Sequence, residues 1–214
     1  MARIVCLANS YKHGGRCIAG IDINTNQWIR PIPNNMNRAI TSQRMIDERE
    51  PDILDVLEIP VEDHGPDEGC QPENRLLKRG RWKKIGRLKP RDLLQYCEDD
   101  SVILHNHKDR VPPDEFSKKP KCKWKSLQLI HSTGVYFYRN PWGKLCVSFS
   151  YGHKQCLDLK LTDPILLRRL DNGETISKDC ILTISLGTPF RRKQSDILFC
   201  WKMIAGVIEL QKKQ

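Results

Sequence analysis

Short apolar runs, rich in Val, Ile and Leu and cut by Gly, Pro and Asn, follow one another along the chain, which is the pattern of strands and turns. Residues 2 to 8 read as a strand, and a bend at Gly14-Gly15 leads to a second over 16 to 23. Asn24-Thr25-Asn26 makes a turn, and 27 to 32 form a third strand that closes at Pro31 and Pro33. Residues 38 to 48 place Ile40, Arg44 and Met45 on one face and predict a helix, ended by Pro51. A fourth strand covers 52 to 61, and an acidic Pro/Gly-rich loop covers 62 to 74. Either Leu76-Leu77 or Trp82 to Leu88 supplies a fifth strand, and a helical turn is expected over 92 to 97.

After an irregular, polar stretch from 98 to 124 the pattern resumes. Residues 127 to 138 are apolar and aromatic, broken at Ser132-Thr133-Gly134; 145 to 151 and 155 to 161 are strands. Asp163 is placed to cap a helix that begins at Pro164 and stops at Asp171-Asn172-Gly173. Strands over 180 to 186 and 197 to 210 close the chain. Each half gives three strands, a short helix and more strand, the order of the OB-fold. The expectation is a mostly β protein of two OB-like five-stranded Greek-key barrels with short helices, packed as one unit. The first barrel with a basic C-terminal extension is assigned to 1–97, a linker or long loop to 98–125, and the second barrel to 126–214.

Composition adds a charge argument. The net charge is +10, and the signs are segregated. Residues 78 to 91 hold eight Lys/Arg and no acid, 118 to 125 hold five lysines, and 47 to 73 hold eleven acids against Arg49 alone. Segregated positive charge favours polyanionic partners, foremost nucleic acid, DNA or RNA. No apolar run is long enough to span a membrane, and no signal-type core opens the chain, so a cytoplasmic protein with no membrane partner is expected. Nine scattered cysteines without a C-x-x-C pair read mainly as buried free thiols.

LANSYKHGGRCIAGID, QWIRPI, DVLEIP, QPEN, LTDP and ISLGTPF, in that order over nearly the whole chain, resemble the dual-OB domain family. The resemblance implies two OB-like barrels in one unit, a prokaryotic source, and a binding module of conflict or antiviral defence systems with partner proteins there. It brings no established catalytic residues.

The candidate nucleic-acid-binding residues are cations interleaved with aromatics. Lys12 and Arg16 flank the glycine bend, where backbone amides and the two charges suit a phosphate; a solvated hairpin whose glycines serve the turn alone fits equally. Trp28 and Arg30 share a strand face; Trp28 is expected in the core and Arg30 on a ligand. Lys78, Arg79, Arg81, Trp82, Lys83, Lys84 and Arg87 form one basic stretch, against the reading that these charges pair with the acidic segment at 47 to 73. Lys121, Lys123, Trp124 and Lys125 repeat the chemistry, and the two stretches are expected to flank one groove. Tyr136 and Tyr138 share a face as a second stacking platform or as core. Cys97, His105, His107 and Cys122 use zinc-type ligands but lack tight paired spacing, so neither metal nor cofactor is assigned. Asp52, Asp55 and Glu58 hint at a metal-dependent nuclease, yet Asp52 and Asp55 fall on opposite strand faces; no catalytic motif is present and the protein is read as a non-enzyme. The alternative is a nucleotide-sensing or protein-interaction module.

Overall fold

The computed structural model describes residues 1–210 other than 13, 36–37, 42–45, 47, 153 and 192–196, with the backbone alone at 154–157. In the first half, β1 (Ala2–Lys12) pairs antiparallel with β2 (Gly15–Asp22) and with β4 (Asp55–Ile59). β2 pairs with β3 (Trp28–Ile32), and β3 runs parallel to β5 (Asn74–Leu76). A bridge from Val61 to Leu77 joins the end of β4 to β5 and closes a five-stranded circuit. Asn74–Leu76 therefore takes the fifth place. β6 (Lys83–Arg87) is an addition that pairs with β4. Of the helix expected over 38 to 48, residues 42–45 and 47 lie outside the described residues. Ile40 and Ile46 form isolated antiparallel bridges, to Arg16 and Arg49, instead of helical turns.

The connecting segment holds a 3-10 helix (Pro90–Tyr96), the short β7 (Arg110–Val111), α1 (Asp114–Ser117) and a 3-10 turn (Lys121–Lys123). The second barrel then repeats the first in outline. Its opening strand is split at Ser132-Thr133-Gly134: β8 (Leu127–Ser132) pairs with β12 (Cys180–Leu186), and β9 (Tyr136–Arg139) with β10 (Leu145–Tyr151). β10 pairs with β11 (Lys154–Leu161), and β13 (Cys200–Glu209) closes the sheet, parallel to β11 and antiparallel to β12. α2 (Pro164–Asp171) lies between β11 and β12, where an OB barrel carries its helix. Asp163 caps it, accepting from the amides of Ile165 at 3.0 Å and Leu166 at 3.1 Å. Each barrel has its own core: Ile4, Cys6, Ile18, Leu57 and Trp82 in the first, Val147, Phe149, Leu159, Leu182 and Ile204 in the second. Cys6, Cys146, Cys180 and Cys200 are buried free thiols, and burial pushes Cys180 up to about 12.

The barrels meet face to face. β1 is buried on both sides, which is why its sequence reads as a continuous apolar run. Ile4 and Cys6 point into the first core, while Val5 and Leu7 join Leu129, Ile181 and Ile208 of the second barrel. β12 does the same in reverse. Its outward residues alternate with core positions and each engages the first barrel. Ile181 packs with Val5 and Leu7, and Thr183 donates its hydroxyl to the Leu7 carbonyl at 2.7 Å. Ser185 accepts from Arg30 at 3.3 Å.

Arg30, on β3, is fully buried in this seam. Its Nη1 also donates to Ser126 Oγ at 3.0 Å and Asn74 Oδ1 at 3.3 Å. Ser126 passes the contact on, donating its amide and its hydroxyl, each at 2.7 Å, to the two carboxylate oxygens of Glu73. The loop before β5 is anchored alongside, with Gln71 Nε2 donating to the Leu186 carbonyl at 2.9 Å.

Two predictions follow from the seam. A methyl group on Gly206 would stand 2.2 Å from the Leu7 carbonyl oxygen, and neither backbone can yield. Gly206→Ala is expected to lower the urea midpoint by the equivalent of ~2 kcal/mol or more. Arg30→Met leaves the buried acceptors of Asn74, Ser126 and Ser185 without their donor and is expected to cost about 3 kcal/mol. Because the charge is shielded from solvent, that loss should persist in high salt, which equilibrium unfolding at two ionic strengths would show.

Candidate nucleic-acid interface

The fourteen cations and aromatics singled out in the sequence divide by what it would take to free them. Arg30 and Trp82 are inside, in the seam and in the first core, so neither is a ligand residue. Trp28, expected in the core, instead reaches the edge of the seam and is half-buried there. Trp28 and Arg30 share a face of β3, as expected, and the second barrel covers that face.

Arg16 is held against Glu50 at 3.0 Å and lies over the Tyr11 ring at 4.7 Å. Lys84 and Arg87 both hold Asp55, at 2.7 and 2.6 Å, and that carboxylate is almost fully buried. Withdrawing them would strand a buried charge, so they are structural cations. Lys78 with Glu62, and Lys121 with Asp67, form exposed pairs at 3.1 and 2.6 Å. Such pairs contribute ~1 kcal/mol or less and exchange readily for a phosphate. Lys125 bridges Glu98 and Asp100. Arg79, Arg81, Lys83 and Lys123 are exposed and make no ion pair among the described residues. The acidic segment thus supplies counterions to both basic stretches, and the concentration of charge along the sequence is only partly kept in space. β6 is exposed along its whole length. Its lysines also guard a sheet edge against strand addition.

The glycine bend resolves on the side of structure. Gly14 has φ of +82°, and a Cβ on Gly15 would stand 2.5 Å from the Ile40 carbonyl, so the two serve the turn and a crossing backbone. His13 lies outside the described residues. Lys12 is partly buried at a cleft of about 200 Å³ with Ser10, Thr162 and Ser185, and burial lowers its affinity for a proton.

An open groove of about 670 Å³ runs along the seam. Trp28 enters from β3, Tyr96 from the end of the 3-10 helix at 90–96, and Trp124 from the turn before β8. Arg75, Lys121 and Lys125 supply positive charge, Glu73 and Glu98 negative. No residue of the 78–91 stretch lines it, so the two basic stretches do not flank a common groove.

Trp124 is rigidly mounted. Its indole N–H donates to the carbonyls of Phe116 at 2.9 Å and Lys119 at 3.0 Å, its ring packs edge-on against Phe116, and the Lys121 ammonium sits 5.6 Å from its centroid. Trp28 and Glu98 line the groove together. Burial raises the Glu98 pKa, while Lys125 opposes the shift. Arg75 donates its Nη1 to the Pro72 and Asn74 carbonyls and makes no ion pair among the described residues. Sequence reasoning missed Arg75 and Tyr96, because neither stands in a charge run. Their contribution depends on the loop and the short helix converging.

Tyr136 and Tyr138 are not core. Their rings stack at 6.1 Å and 15° on the outer face of the second barrel. Cys97 and Cys122 line the groove, but among the described residues no three His, Cys, Asp or Glu gather as a metal site. Asp55 is consumed by Lys84 and Arg87, and Glu58 faces Arg3 at 3.2 Å. No helix among the described residues is long and apolar enough to cross a membrane.

Residues 2–207 match the family model described as Dual OB-containing domain, nearly the entire chain. A search of curated proteins finds no match.

Proposed function

The chain belongs to the dual OB-containing domain family, and from that premise we propose that it is a nucleic-acid-binding module holding a single strand in the groove between its barrels. The reading rests on the convergence of Trp28, Tyr96 and Trp124, from three separate segments, with Arg75, Lys121 and Lys125 in one open groove. Aromatic faces favour unstacked bases, each contributing ~1–3 kcal/mol, whereas a duplex hides its bases from such side chains. Arg75 and the exchangeable lysines meet the backbone, with Lys123, exposed and without an ion pair among the described residues, next in sequence to the groove-lining Cys122 and Trp124. The setting in a defence system is proposed on the family resemblance alone.

Tryptophan fluorescence titrated with a short oligothymidylate tests the reading. Four phosphate contacts at about −0.7 each give a log–log salt slope near −3, so affinity should fall roughly 50-fold between about 50 and 200 mM salt. Arg75→Ala should reduce the slope by about 0.7, and Arg81→Ala should leave it unchanged. Bound oligonucleotide should also protect the exposed groove thiol of Cys122 from alkylation. Absence of quenching at low salt, or a flat slope, would overturn the groove as the binding site.

A further inference from the structure

A second concavity, of about 350 Å³, lies at the far end of the β1–β2 hairpin from the groove. The groove is lined by Ile21 near one end of β2, and the second cavity by Tyr11, whose register partner Arg16 is at the other. The five residue steps from Arg16 to Ile21 separate the two by roughly 17 Å. The second barrel supplies the rest of the wall: Arg139 and Lys144 on either side of the β9–β10 turn, Lys160 near the end of β11, Arg168 and Asp171 on α2.

Four cations and one carboxylate thus face the cavity. Arg139 takes the carboxylate, Asp171, in a direct ion pair. Lys144, Lys160 and Arg168 make no ion pair among the described residues, and Arg168 spends only its Nε, on the Pro164 carbonyl at 3.4 Å. The nearby Asp158 is engaged by the Tyr138 hydroxyl. Like charges gathered on one concave wall raise its potential and favour an anion there.

Aromatic surface borders the same wall. Tyr11 is well exposed and carries the Arg16 guanidinium at 4.7 Å from its centroid. The stacked Tyr136–Tyr138 pair is continuous with it: Tyr138 is in register with Cys146, and Cys146 with Lys160. Two strand spacings, about 10 Å, therefore connect the tyrosine stack to Lys160.

We propose that this cavity binds a 5′-phosphorylated nucleoside, free or at the end of a strand. Lys144, Lys160 and Arg168 hold the phosphate, and Tyr11 offers its ring to the base. A phosphate monoester carries nearly two negative charges at neutral pH and accepts several charge-assisted hydrogen bonds, which matches three unpaired cations better than the single charge of a phosphodiester.

Calorimetry on the full chain with pyrophosphate, 5′-AMP and an oligonucleotide with and without a 5′-phosphate tests it. Expected results are binding of pyrophosphate and 5′-AMP, weakened about tenfold or more in Lys160→Ala/Arg168→Ala. Both substituted side chains are exposed, so the variant should fold, which circular dichroism would verify. Tyr11→Ala should weaken 5′-AMP and leave pyrophosphate unchanged; equal binding of 5′-AMP would remove the tyrosine from the site. A 5′-phosphate advantage for the oligonucleotide that vanishes in the double variant identifies a strand end as a ligand, and no advantage identifies the free nucleotide. The proposal is overturned if none of the phosphorylated probes binds, or if the double variant binds them all as the native chain does. Arg75→Ala should leave 5′-AMP binding intact, so failure at this cavity and failure at the groove are separable.

Discussion

A guanidinium with no exposure to water sits where the two barrels meet, and much of the surrounding architecture exists to satisfy it. Arg30 cannot be solvated, so its hydrogen bonds must come from protein, and its two terminal nitrogens find them in both barrels: Asn74 on one side, Ser126 and Ser185 on the other, while Nε has no partner among the described residues. Glu73 joins the network through Ser126, accepting from its hydroxyl. A buried network of this kind is costly when half made and rigid when complete. It fixes the height of β3 against β8 and β12, and with it the mouth of the groove in which Trp28 and Trp124 face each other's segments.

The seam also explains where ligand chemistry can sit. In an OB barrel the face over strands two and three is a common binding surface. In the first barrel that face is spent on the second barrel, as Ala19, Ile21 and Arg30 show. What remains open is the border of the contact. At one end of the β1–β2 hairpin lies an aromatic groove with mixed charge; at the other, a smaller concavity with a positive excess.

Strands, turns and the capped helix were legible because each rests on local chemistry: the apolar run along β12, Asp163 before Pro164, the Asn-rich turn at 24–26. Partnership between distant segments was not. Alternation correctly put Trp28 and Arg30 on one face, but a strand buried on both sides gives no sign of which face meets water. The basic runs looked available because their counterions stand elsewhere in the chain. Asp55, Glu62 and Asp67 come back upon Lys84, Lys78 and Lys121 only after the barrel closes. Arg75, Tyr96 and the cations around α2 carried no signal at all, being single residues made neighbours by topology.

The contact of Leu7 with Thr183 and Gly206 joins β1 to β12 and β13, so β1 receives its outer partners only after the second barrel has been synthesised. Until then the apolar outer side of β1 has nothing to cover it. A nascent first barrel is in that sense a sticky half-product, and the cell must either finish translation quickly or shield it.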